Sequence, residues 1–117
     1  MLRMLVVVIA LSSIACSKGL DTIESAEAFA KSRGVVLTEK TEDTKQAVAP
    51  RCFDYRSGEV YVGILQFNTA EAAKAYKEVM DQSPLSSEQK IVHGPIMFMV
   101  AEGSDSERQK VVAALQP

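Results

Sequence analysis

Two cysteines and a single histidine hold most of the bond-making chemistry this 117-residue chain offers near neutral pH. Cys52 follows Arg51, and a cation beside a thiol favours the thiolate, the form that attacks and ligates. His93 stands before Gly94-Pro95, at a break in an apolar stretch. If the two met in space, the pair would support thiol-dependent or redox chemistry, with the imidazole as base. His93 has no His, Cys or carboxylate at ligand spacing, and no metal site is expected. No Cys-x-x-Cys or helix start adjoins Cys52, which reads better as a small half-buried apolar residue on a strand. His93 reads as a loop or surface histidine. Glu42-Asp43 lacks the dense oxygen set of a calcium loop, and Gly94 and Gly103 are too isolated to cradle a phosphate. No catalytic residue and no cofactor is expected.

Cys16 has a different setting. Arg3 and the amino terminus make a short positive region, Met4 to Leu11 is unbroken apolar sequence, and Ser12-Ser13-Ile14-Ala15 is a cluster dominated by small residues. That is the anatomy of a secretory signal. Met4 to Cys16 is thirteen residues, short of the roughly 20 that a membrane-spanning helix needs. The end of this leader resembles the lipobox of bacterial lipoproteins, in which a small residue precedes a cysteine whose thiol is diacylated before cleavage. Ala15 and Cys16 match its defining positions, Ile14 is compatible, and Ser13 stands where that family commonly has leucine. The resemblance implies cleavage between Ala15 and Cys16, lipidation of Cys16, and the lipid bilayer as a partner. At least two acyl chains are needed for stable anchoring, since each buried methylene contributes about 0.8 kcal/mol. Ser13-Ile14-Ala15 also fits the small-x-small site of an ordinary signal, which would be cut at the same bond. Residues 16–20 then form a lipidated tether. Ser17 is not aspartate, and by the same resemblance that sends the protein to the periplasmic leaflet of the outer membrane in a Gram-negative host.

Removing residues 1–15 leaves 102, one domain at 21–117 of ordinary size. Arg3 leaves with the leader, so 12 basic residues face 15 acidic ones, a formal charge of −3. The charge is scattered, which excludes the clustered basic face of a nucleic-acid binder. Acylation of Cys16 leaves Cys52 single; without it, a Cys16–Cys52 disulfide is open.

Three stretches read as helices with N-terminal capping boxes: Asp21-Thr22-Ile23-Glu24, Asn68-Thr69-Ala70-Glu71 and Ser104-Asp105-Ser106-Glu107. Ile23, Ala26, Phe29 and Ala30 stripe the first, and Gly34 ends it. Ala72, Ala73, Tyr76, Val79 and Met80 stripe the second, whose wet face offers the pairs Glu71/Lys74, Lys74/Glu78 and Lys77/Asp81. Val111, Val112 and Leu115 stripe the third. Val35 to Thr38 reads as a short strand, and Glu39 to Gln46 as a charged loop. Two strands flank Ser57-Gly58, a hairpin turn that sets Tyr55 against Val60 and Phe53 against Val62. Alternation then puts Phe53, Tyr55, Val60, Val62 and Ile64 on a core face. The other face carries Cys52, Asp54, Arg56, Tyr61, Gly63, Leu65 and Phe67. Lys90 to Ala101 is strand interrupted at His93-Gly94-Pro95, and Ile96 to Val100, apolar on both faces, belongs in a sheet centre.

The order α-β-β-β-α-β-α predicts an α+β fold, a largely antiparallel sheet with helices packed on it in two layers. If one sheet face stays open, Tyr61, Leu65 and Phe67 form an apolar patch for a partner, with Gly63 leaving room between them. A second helix over that face would remove the patch. The layout resembles small envelope lipoproteins that join such a leader to a compact α+β domain. With no active-site constellation in the sequence, the expected function is a non-catalytic binding or structural module whose partner is another envelope protein or a cell-wall component. A thiol-dependent envelope enzyme built on Cys52 is the alternative. Tyr61 to Met80, a strand and an alanine-rich helix, with Gly94-Pro95 beyond, also resembles the peptidoglycan-binding SPOR domains. Those end in a strand where this chain ends in a helix.

Overall fold

The computed structural model describes residues 19–45, 49–84 and 87–117; Ala15, Cys16 and the rest of the leader lie outside the described residues. Helix α1 (Ile23–Ser32) starts one residue later than the acidic cap suggests. Thr22 is the N-cap, its side chain accepting from the Ser25 N–H at 3.0 Å while Ser25 Oγ takes the Thr22 N–H. The box is therefore threonine–serine, and Glu24 is released to pair elsewhere. At the other end Gly34 (φ +81) lets the chain reverse, with Gly34 N–H on Lys31 O and Val35 N–H on Ala30 O. Those two bonds satisfy carbonyls that the helix would otherwise leave open.

Strand β1 (Thr38–Glu42) comes next, all five residues exposed. The expected strand at Val35 to Thr38 is displaced towards the charged residues. Val35 turns into the core instead, and an edge strand rich in charge suits a position with only one neighbour. Strands β2 (Arg51–Ser57) and β3 (Val60–Gln66) form the hairpin, with Ser57 opposite Val60 and Tyr55 opposite Val62. The turn is Gly58-Glu59, one residue beyond the expected pair, because Gly58 (φ +61) takes its first position. That shift moves every partner by two residues, so the two faces keep their expected membership.

Helix α2 (Ala70–Asp81) is capped by Thr69. Of its expected ion pairs Lys77–Asp81 forms, at 2.5 Å. Strands β4 (Gln89–His93) and β5 (Ile96–Ala101) fold the expected interrupted strand into a hairpin about Gly94-Pro95, again with the glycine at positive φ. Helix α3 (Asp105–Ala114) follows, capped by Ser104 as read from sequence. The five strands run β1-β2-β3-β5-β4, antiparallel throughout. The α+β class and the element order thus hold, with β4 and β5 sharing the last strand position.

Helices cover both faces. Ile23, Ala26 and Ala30 of α1 and Leu115 behind α3 pack on Tyr55, Val62, Ile64, Phe98 and Val100. On the reverse, Ala73 and Tyr76 of α2 pack on Cys52, Leu65, Phe67 and Met97. The patch expected from Tyr61, Leu65 and Phe67 is therefore not a surface. Leu65 is 1 % exposed and Phe67 5 %, and Tyr61 is half-buried with its hydroxyl on Asp54 Oδ1 at 2.5 Å. The cause is α2, which lays its apolar stripe over that side. No helix among the described residues is long and apolar enough to cross a membrane.

Phe67→Ala tests this placement. Truncating a buried phenylalanine costs about 3–5 kcal/mol, whereas a surface residue changes stability within about 0.5 kcal/mol. Denaturant unfolding of the variant is expected to show the larger loss.

Candidate functional site

Both residues that sequence reasoning marked for chemistry are buried. His93 is buried, 7 % exposed, between Phe29 and Phe98 with ring centroids at 4.7 and 5.5 Å. Its Nε2 lies 2.6 Å from the Leu115 carbonyl, which can only accept, so Nε2 carries the proton. Leu115 is the C-cap of α3, so the histidine closes an open helix carbonyl and ties β4 to α3. The expected loop histidine is a core residue because the β4–β5 hairpin carries it beneath that helix.

Cys52 is buried in the β2–α2 layer. Burial pushes its thiol up to about 12, with Asp54 and Asp43 adding to the rise. A thiol held protonated is a poor nucleophile, and Arg51, its neighbour in sequence, points to Glu24 instead, with paired contacts of 3.1 and 3.0 Å. The two residues lie on opposite faces of the sheet, His93 in the α1–α3 layer and Cys52 in the α2 layer. Asp43, Cys52 and Asp54 form the one group among the described residues whose ligand atoms approach closely enough for a metal.

A cleft of about 490 Å³ opens elsewhere, between the C-terminal half of α1 and β1. Val35 and Leu37 form its apolar wall, Tyr55 its floor, and Glu27, Lys31 and Lys40 its polar rim. Why the chain opens here follows from β1. Its pairing with β2 slips between Thr38 and Thr41, and Glu39 sits at φ +56, where a residue with a Cβ is strained. Such a bulge bends an edge strand and re-aims its side chains. Thr38 Oγ1 on Arg56 O (3.1 Å) and Thr41 Oγ1 on Glu39 O (3.2 Å) hold it.

Lys40 thereby reaches back over the sheet to Glu27 Oε2 at 2.7 Å, its ammonium 4.7 Å from the Phe53 ring centre. The Tyr55 hydroxyl donates to the same oxygen at 2.5 Å. Burial opposes ionisation of Glu27, but the bonds from Lys40 and Tyr55 outweigh it and hold the carboxyl below its ordinary range. Burial, then the Glu27 hydrogen bond, push the Tyr55 phenol well above its ordinary value. At neutral pH the trio is a carboxylate with two donors already in place, which holds a shape and offers no spare base. An apolar cleft with a few fixed polar groups is the form of a recognition site.

Sequence reasoning missed this site. Glu27 reads as helix surface, Lys40 as loop and Tyr55 as core, and no spacing links them. The bulge that joins them has no marker in the residues of β1. No family model matches this chain, and no curated protein or solved structure does either.

Glu27→Gln keeps the shape and removes the charge. Because the folded Glu27 is more acidic than the unfolded one, its contribution is complete above the unfolded value of about 4.3 and fades as pH falls through the folded value. The variant is expected to be less stable at pH 7 by about 1 kcal/mol, the range for a bond to a charged group discounted for partial exposure. The gap narrows below about pH 5. A gap that widens on acidification would contradict the assigned direction, and unfolding curves from pH 3 to 8 decide it.

Proposed function

We propose that this chain is a lipid-anchored, non-catalytic binding module of the cell envelope, with the α1–β1 cleft as its recognition surface. The observation that carries the binding part is the cleft itself, apolar on one wall and closed by the Glu27–Lys40–Tyr55 set. Support for the anchor comes from the leader, where a short positive start, an apolar run and Ala15 precede Cys16. Attached through an acylated Cys16, the domain begins only a few residues from the bilayer, since α1 starts at Ile23. The partner is then an envelope component presented near the membrane, such as another envelope protein or the cell wall. A thiol enzyme on Cys52 draws no support from a buried, protonated sulfur.

Two measurements test the reading. In a bacterial host the full chain is expected in the membrane fraction, with a mature N-terminus at Cys16 that carries acyl mass. The Cys16→Ala variant is expected to leave that fraction, and an unmodified Cys16 in the wild type would remove the anchor. For the cleft, soluble peptidoglycan fragments and envelope peptides are titrated against isotope-labelled protein. Binding should shift resonances of Leu37, Lys40 and Tyr55, and Tyr55→Phe with Lys40→Ala should weaken it about tenfold, the 1.4 kcal/mol of one or two lost polar contacts. Shifts confined to other surfaces, or none for any fragment, would reject the cleft as the recognition site.

A further inference from the structure

The sheet face opposite α1 holds a second group of polar side chains, which the cleft does not use. Cys52 and Asp54 stand two apart on β2 and face the same way. Asp43, just past the end of β1, lies opposite Cys52, with its N–H on the Cys52 carbonyl at 2.9 Å. The sulfur and one oxygen from each carboxylate all lie within 4.8 Å of one another.

Two features make this more than neighbouring acids. The first is the thiol: Cys52 is only 4 % exposed, is not in a disulfide, and its sulfur makes no hydrogen bond among the described residues, yet an oxygen of each carboxylate lies within 4.8 Å of it. A buried polar group ordinarily has a partner. The second is charge. No lysine or arginine among the described residues comes within ion-pair distance of Asp43 or Asp54, and Arg56, next on that side of β2, is taken by Glu102 at 2.7 Å. Both carboxylates are nevertheless oriented. Tyr61 donates to Asp54 Oδ1 at 2.5 Å, through space left by the missing side chain of Gly63, and the Lys45 N–H donates to Asp43 Oδ1 at 3.0 Å. Such bonds are how ligating carboxylates are held in position.

We propose that Asp43, Cys52 and Asp54 bind one divalent transition-metal ion of the zinc class. One soft sulfur with two hard oxygens suits a borderline ion, whereas calcium and magnesium take all-oxygen sets of six or more. Zinc–sulfur and zinc–oxygen lengths of about 2.3 and 2.1 Å put ligand atoms roughly 3.5 Å apart in a tetrahedron. The three side chains therefore need close by no more than about an ångström, and a fourth position stays open to water. On binding, the thiol S–H breaks, its proton goes to solvent and the sulfur–metal bond forms, with no change in oxidation state. The site is independent of the anchor and of the cleft.

Cobalt(II) is the probe, added to the full chain purified in detergent. One ion per chain is expected, with a near-ultraviolet thiolate-to-cobalt band that zinc(II) displaces. Cys52→Ala should abolish the band, and Asp43→Asn and Asp54→Asn should each weaken binding at least about tenfold. Asp43 lies outside the strands, so its variant serves even where Cys52→Ala fails to fold. Absence of cobalt binding, a band that survives Cys52→Ala, or an affinity unchanged in Asp43→Asn overturns the assignment.

Discussion

The pairing of β3 with β5 is the contact on which the rest of the domain depends. Ile64 faces Phe98 across it and Val62 faces Val100, all four fully buried. The same two strands present Leu65 and Met97 to the opposite side, equally buried. A strand pair apolar on both faces cannot leave either to water, because the exposed side would forfeit about 25 cal/mol for each square ångström of apolar area. Covers are thus required on both sides. The chain supplies α1 and α3 for one and α2 for the other.

The covers are narrower than the sheet. Three short helices protect β3 and β5 and thin out towards β1, which is exposed along its whole length. Both candidate sites fall at that margin, the cleft above β1 and the Asp43–Cys52–Asp54 group on the reverse. This is where polar side chains can sit partly out of water and still be reached by a ligand. Polarity of β1 and its bulge also serve the ordinary need of an edge strand, which must discourage pairing with other chains. The cleft then uses a distortion that edge protection alone would favour.

Much of this fold was legible because its signals are local. The capping boxes mark each helix start within a residue, with Thr22 and Thr69 capping one position after Asp21 and Asn68 and Ser104 capping as expected, and Gly34, Gly58 and Gly94 mark reversals that need positive φ. Alternation separated Tyr55, Val62 and Ile64 from Leu65 and Phe67 correctly even though the hairpin turn lies one residue further on. What it left open was the fate of the second face. Alternation says that two residues share a side, and it is silent on whether a helix elsewhere in the chain lies on that side. Leu65 and Phe67 looked like a partner surface for that reason. His93 looked like a loop residue because its partners, Phe29 and Leu115, are 64 and 22 positions away.

From the sequence alone come the element types, their order, the helix starts to within a residue and the membership of the two strand faces. Each follows from residues within a few positions of one another, through backbone preference or hydrophobic period. Only the tertiary structure decided that α2 closes the second face, that Glu27, Lys40 and Tyr55 meet, and that Cys52 lies between two aspartates. Those contacts depend on how far a bulged edge strand turns and which side each helix takes. The balance is set by packing over the whole sheet, so no short window of residues encodes it.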